Sequence, residues 1–233
     1  QQKKSLSDLL KPKHQIITYS GVIGLGAIED SEILAKKYKA LGIKQIKIKI
    51  GYNDEQKRIE KIRNILGSAC SIRLDVNGAF TVKKAIETLS VLRKYNISCV
   101  EQPIKRGNYR SLKKVKDNIS IPIMADESLV TIEDAKNLIK HRACNYFNLR
   151  ISKLGGISRT LEIAKMAESA GLRLQLGCLV GETAILSAAG RFLAAYFNNV
   201  EFIEGSFGSL LLTEDISKKE IHKKSFSTSI YWE

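Results

Sequence analysis

The sequence has no run of about 18 uninterrupted apolar residues, the length a membrane-spanning helix needs. Its most apolar stretch, Ala184 to Phe197, is interrupted by Arg191. It opens on Gln-Gln-Lys-Lys, with neither an initiator Met nor a charged-then-apolar leader, so no targeting signal is visible and it reads as a fragment of a longer chain. Three prolines and sixteen glycines exclude collagen-like and low-complexity character. The four cysteines (Cys70, Cys99, Cys144, Cys178) form no Cys-x-x-Cys pair, which excludes a structural zinc site and a redox motif. Each lies in or beside an apolar run, so buried free thiols in a reducing cytoplasm are expected.

What remains is an ordinary globular composition, 44% apolar and 27% charged, in 233 residues. That length suits one large domain or two small ones and buries a substantial core. Thirty-eight Lys and Arg against twenty-four Asp and Glu leave a net charge of +14. The lysines are scattered singly and in pairs (Lys36-Lys37, Lys83-Lys84, Lys113-Lys114, Lys218-Lys219), the pattern of a solvated surface. No zinc-finger spacing and no RNA-binding aromatic motif accompanies them, so a nucleic-acid partner is not expected.

Apolar, β-branched runs begin near Ile16, Gln45, Ser71, Ile97, Ile121, Tyr146, Leu172 and Val200, at intervals of 24 to 29 residues. Helical patterns separate most of them, as at Ser31–Leu41, Asp54–Leu66, Val82–Tyr95 and Ile132–His141. Asp30 or Ser31, Asn53 or Asp54, and Thr131 are candidate N-caps, and Gly42 and Gly171 are candidate helix terminators. Eight strands alternating with helices predict an α/β fold with a parallel sheet. No glycine-rich phosphate turn follows the first strand, so closure into a TIM-type barrel is favoured over an open doubly wound sheet. The expected organisation is a remnant of something upstream over 1–14, one barrel over 15–213 and a basic tail over 214–233 with no clear element.

Barrels of this kind keep their sites at the C-terminal ends of the strands. Read in order, those ends supply Lys47 and Lys49, Asp75 and Asn77, Glu101, Asp126 and Glu127, Arg150, and Glu204. Asp75, Glu101 and Asp126 on three successive strands offer hard oxygen ligands, which suits Mg²⁺, with Mn²⁺ as a substitute. Lys47 and Lys49 share a strand face. A lysine crowded by a second ammonium and a divalent ion is expected to titrate low enough to serve as a base. The set reads as proton abstraction next to a carboxylate, with enolate stabilisation by the metal. A lysine base working beside Mg²⁺ is an established solution to that chemistry.

Five segments carry a resemblance: KIKIG at 47–51, LDVNGAF at 74–80, VEQPI at 100–104, ADES at 125–128 and Leu-Gly-Gly at 154–156. In this order the chain resembles the C-terminal barrel domain of the enolase superfamily, in its muconate lactonizing enzyme (mandelate racemase/muconate cycloisomerase-like) subgroup. The resemblance implies a modified TIM barrel of (β/α)7β type, Mg²⁺ on Asp75, Glu101 and Asp126, Lys49 as base and Lys47 as its electrostatic partner near the substrate carboxylate. It also implies a small-molecule carboxylate substrate, a homo-oligomer and an N-terminal α+β capping domain, of which only a stub such as Ser5 to Leu10 stands here.

Three departures shape the expected chemistry. Arg150 stands where the subgroup usually has a second lysine, and Lys153, three residues on, is out of phase with it. Arginine is a poor base at neutral pH, so one-base cycloisomerisation or syn-dehydration is expected ahead of epimerisation of an Ala-Glu type dipeptide. An inactive or non-catalytic basic barrel is the further alternative. The last strand carries Glu204 in place of an Asp-x-Asp, and Glu182 is displaced by one residue from the subgroup's usual acid; both are candidate substrate-binding groups together with Asn77 and Glu127.

Overall fold

The computed structural model describes residues 6–51, 54–205, 212–216 and 227–229. A short helix α1 (Leu6–Leu9) and strand β1 (Ile16–Thr18) lead into eight parallel strands: β2 (Gly21–Ile23), β3 (Gln45–Lys49), β4 (Ser71–Asp75), β5 (Ile97–Glu101), β6 (Ile123–Ala125), β7 (Tyr146–Leu149), β8 (Arg173–Leu176) and β9 (Val200–Ile203). Seven helices alternate with them: α2 (Ile28–Ala40), α3 (Glu55–Leu66), α4 (Val82–Leu92), α5 (Tyr109–Asp117), α6 (Ile132–Lys140), α7 (Ile157–Ser169) and α8 (Ala184–Tyr196). Each strand pairs in parallel with its sequence neighbour, from β2 through to β9. The Ser20 N–H donates to the Ile203 carbonyl at 2.8 Å, joining the start of β2 to β9. This is the expected (β/α)7β barrel.

The two-residue period of the strands separates two interiors. Ile46, Ile48, Ile72, Leu74, Val100, Ile123, Phe147, Leu149, Leu174 and Leu176 belong to one apolar core shared with the buried faces of the helices. The alternate positions point into the barrel. At its lower end Cys99, Met124, Tyr146 and Phe202 form a separate small cluster. Above them the lumen is filled by buried Lys47, Arg73, Asp75, Glu101, Asn148, Gln175 and Glu204 rather than by the branched apolar layers usual in such barrels. The thiols of Cys70, Cys99 and Cys144 are free and buried, while Cys178 is half-buried.

Local differences from the expectations have local causes. The run beginning at Ile16 is not the first barrel strand. β1 buries only Ile17 of its three residues and pairs antiparallel with β10 (Ser227–Ser229), an element inside the tail expected to have none. The barrel strand is β2, which the Tyr38 hydroxyl of α2 clasps by donating to the Val22 carbonyl (2.9 Å) and accepting from its N–H (3.2 Å). β6 starts at Ile123 rather than Ile121 because Pro122 has no N–H for the ladder, although its carbonyl still accepts from Val100 (2.9 Å).

Helix α2 starts at Ile28 behind Ala27, which places Asp30 and Ser31 in its first turn. The Ser31 hydroxyl serves another purpose, accepting from Arg58 Nε at 2.9 Å. Asp54 precedes α3 in a left-handed conformation with no side-chain cap, and Asn53 lies outside the described residues. Thr131 forms a full capping box with Asp134. Gly42 and Gly171 end their helices at φ of 69° and 70°, the left-handed geometry that makes glycine the usual terminator. Among the described residues no helix is long and apolar enough to cross a membrane.

Thr131 and Thr183 are both N-caps, but only Thr131 makes a cap bond. Thr131→Ala is expected to lower unfolding stability by about 1 kcal/mol and Thr183→Ala by much less. Urea denaturation of the two variants checks this, and equal losses would contradict it.

Candidate active site

Every strand-end residue singled out above stands at the C-terminal mouth, and the lumen beneath ties most of them into one lattice. Glu101, at the end of β5, is fully buried. Its Oε1 accepts from Asn148 Nδ2 (2.7 Å) and its Oε2 from Gln175 Nε2 (3.2 Å). Lys47 Nζ lies 3.6 Å from Glu101 Oε2, 3.4 Å from Asp75 Oδ2 and 2.8 Å from Glu204 Oε2. Glu204 is shared, because its Oε1 accepts from Arg73 Nη2 at 2.6 Å. Both Glu204 oxygens are therefore taken by the chain's own cations.

On the other side of the mouth, Arg150 Nη2 donates to Asp126 Oδ2 and reaches Glu101 Oε1 at 3.5 Å. Lys153, out of phase on the strand, returns through the turn after β7 and donates to Asp126 Oδ1 (2.5 Å) and to the Asp126 carbonyl (2.7 Å). It is thus a partner of Asp126. Lys49 Nζ donates to Asn77 Oδ1 (3.0 Å), and Asn77 Nδ2 donates to Glu127 Oε1 (3.0 Å). Glu182 stands apart from this lattice: its Oε1 accepts from the Leu179 N–H at 2.8 Å, within its own loop.

Residues not singled out from sequence hold these groups in place. Gln102 is fully buried and takes a left-handed backbone. Its Oε1 accepts from the N–H groups of Asp126 (3.1 Å) and Ser128 (3.0 Å), so the residue after Glu101 positions the loop that carries Asp126. Arg58 donates to the Lys49 carbonyl (2.5 Å) and to the Gly24 carbonyl, fixing the backbone behind Lys49. Gly177 leaves room for Asn148, since a Cβ there would lie 2.2 Å from Asn148 Oδ1. Arg73 carried a visible signal, a charge in the inward phase of the apolar run Ile72–Leu74. The others lay in phase with singled-out residues or beside them, without a spacing that reveals their contacts.

Charge in this lattice is unevenly satisfied. Burial, and then the like charge of Glu101, raise the Asp75 carboxyl to about 7. Asp126 is raised to about 6 by burial and Glu101, against the pull of Lys153 and Arg150. Burial would raise Glu101 as well, but Lys47, Arg150 and Arg73 outweigh it and hold Glu101 at about 2. Lys47, the expected electrostatic partner of Lys49, is charged. Burial does pull it down, yet Glu101, Glu204 and Asp75 together hold it well above the ordinary lysine range. It is a fixed cation. Arg150 is also held above its ordinary value, burial being overcome by Asp126 and Glu101.

Lys47, Lys49, Asp75, Asn77, Arg150 and Glu204 line one cavity of about 380 Å³ at the mouth. Leu179 and Val180 also line it, and Val180 is 90% exposed. Asp75, Glu101 and Asp126 suit a hard divalent cation by donor type and by their places on adjacent strands. Asp75 Oδ2 is buried without a hydrogen-bond partner, with Lys47 Nζ 3.4 Å away. Among the described residues the three do not close on a common point, and Arg150 and Lys153 take one Asp126 oxygen each.

The family model "Enolase C-terminal domain-like" matches residues 30–228. The chain is 38% identical over 159 residues to an L-Ala-D/L-Glu epimerase of Clostridium acetobutylicum, covering 66% of this chain and 44% of that protein. It is 35% identical over 188 residues to muconate cycloisomerase 1 of Pseudomonas putida, covering 79% and 50%. Among solved structures, the dipeptide epimerase of Enterococcus faecalis V583 complexed with Mg and the dipeptide L-Leu-L-Tyr superimposes with a TM-score of 0.81 at 33% identity, covering 85% of this chain and 57% of that one. The chain spans about half the length of the curated relatives it matches.

The raised carboxyls set a pH dependence. A carboxyl whose pKa is higher in the fold than in the unfolded chain stabilises the fold fully below its unfolded pKa of about 4, and that contribution is lost as pH rises through the folded pKa. With Asp75 at about 7 and Asp126 at about 6, the melting temperature of protein freed of divalent ions is expected to fall between pH of about 5 and about 8. Asp75→Asn is expected to flatten that slope. A melting temperature that rises across this window in the unsubstituted protein would contradict the assignment.

Proposed function

The chain belongs to the enolase C-terminal domain-like family, and from that premise we propose that it abstracts the proton α to a substrate carboxylate, acting on a dipeptide. The observation that carries the reading is the placing of Lys49 and Arg150. They stand at the ends of β3 and β7, four strands apart in an eight-stranded barrel, and line the same cavity across the acid lattice.

In this reading Lys49 Nζ, as the neutral amine, takes the α-proton, and the C–H electron pair passes into the adjacent carboxylate as an enolate. Lys47 stays charged beneath the site and offsets the negative charge that develops. Arg150 stays protonated and faces the substrate from the opposite wall as a fixed donor. Asp75, Glu101 and Asp126 would hold Mg²⁺, which supplies further positive charge for the enolate oxygens when bound.

The expectation of one-base chemistry follows from Arg150, which bears on the number of bases and not on the substrate class. The relatives weigh toward the epimerase alternative, since the L-Ala-D/L-Glu epimerase and the dipeptide-bound structure are both epimerases. Glu204, engaged by Lys47 and Arg73, supports the lumen in this reading rather than holding a substrate ammonium.

With one base, exchange of the α-proton on the Lys49 face is expected to outrun inversion. The check is proton NMR of the purified protein with Mg²⁺ and a panel of L,L and L,D dipeptides in D₂O. Deuterium is expected at one α-carbon, and Lys49→Ala is expected to lower that exchange by about 10³-fold. Arg150→Lys is expected to raise inversion relative to exchange. No exchange with any dipeptide would sink the reading, and a lactone or dehydrated product from a non-peptide acid would return it to the cycloisomerase or dehydratase branch.

A further inference from the structure

Lys49, Asn77 and Glu127 come from the ends of three different strands, yet they form one unbroken chain of hydrogen bonds along the rim of the mouth. The central carboxamide is matched in polarity at both ends. Its oxygen faces the Lys49 ammonium and its NH₂ faces the Glu127 carboxylate, so turning it over would set donor against donor and acceptor against acceptor. Glu127 therefore decides which way Asn77 points, and Asn77 decides where Lys49 Nζ sits.

The backbone beneath Asn77 is equally constrained. Asn77 adopts φ of 46°, a left-handed conformation, and its N–H donates to Asp75 Oδ1 at 3.1 Å. Gly78 follows at φ of 74°, where a Cβ would meet Lys105 Cα at 3.2 Å. Behind Lys49, Arg58 holds the carbonyl. The lysine is thus fixed at its backbone by one residue and at its tip by another. Glu127 Oε2 is buried with no hydrogen-bond partner among the described residues, so this acid is not held in place by a second contact on that oxygen.

We propose that Asn77 and Glu127 are positioning residues for Lys49, a two-link arm that aims its amine into the cavity, rather than groups that contact substrate. The reading of Lys49 as the base rests on the proposed function; the arm itself does not. One N–H of the amine is given to Asn77 Oδ1, which directs the remaining valences, and the lone pair of the neutral form, away from the rim.

The arm is tested first without turnover, by the rate at which acetic anhydride labels Lys49, read by mass spectrometry against Lys83, whose side chain is 86% exposed. Asn77→Gly removes the carboxamide while tolerating the left-handed backbone, so a loss of folding does not obscure the result. Asn77→Gly and Glu127→Ala are each expected to change Lys49 labelling by the same factor, roughly tenfold, and the double variant by no more than either. Glu127→Gln, which keeps an acceptor oxygen, is expected to stay within about twofold of the unsubstituted protein. In the dipeptide exchange assay the same variants are expected to lower kcat roughly tenfold with KM unchanged. Unchanged labelling in Glu127→Ala, additive effects in the double variant, or a raised KM with kcat unchanged would each overturn the arm. Absence of exchange in the unsubstituted protein would instead remove the functional reading and leave the labelling result to decide the arm.

Discussion

The ion lattice around Glu101 is the constraint on which the rest of the barrel depends. A fully buried carboxylate is costly unless charges and hydrogen bonds surround it, and here Asn148, Gln175, Lys47 and Arg150 all converge on it. Lys47 and Arg73 in turn need Glu204, and Arg150 is shared with Asp126. The groups come from every barrel strand but β2, or from the ends of those strands, so the lattice forms only when the barrel closes. Removing one of its charged members leaves the buried partners with less compensation.

That dependence explains why the lumen is polar where barrels of this architecture usually pack branched apolar side chains. The apolar layer has moved downward to Cys99, Met124, Tyr146 and Phe202, with the Arg73 guanidinium 4.4 Å from the Phe202 ring centroid at the boundary. Below lies a packed floor and above it a charged lattice. The lattice reaches the cavity through Lys47, Asp75, Arg150 and Glu204, so the same residues that make the interior consistent also set the electrostatics of the mouth.

Much of this was legible along the chain, residue by residue. The spacing of the apolar runs announces eight strands, and the charges at their ends announce Asp75, Glu101 and Asp126 as neighbours at one end of a barrel. The capping box at Thr131 was readable because its partners lie three residues apart. Contacts between distant segments were not readable. Ser31 looked like a cap until Arg58 claimed its hydroxyl, and Ile16 looked like a barrel strand until β10 appeared beside β1. The surroundings of Lys47 were unreadable for the same reason. Its sequence neighbour is a cation, whereas its spatial neighbours are Glu204, Glu101 and Asp75.

Periodicity and residue type, which are local properties, determined the alternation of strand and helix, the outward apolar face of the sheet and the inward position of the acids and lysines. Which acid meets which cation was decided only when the barrel closed. Pairing energies fall off within a few ångströms, and ångström distances between β3, β5, β7 and β9 are set by the ladder register and not by separation in sequence. Closure spends Glu204 on Lys47 and Arg73, sends Lys153 to Asp126 and links Lys49 through Asn77 to Glu127.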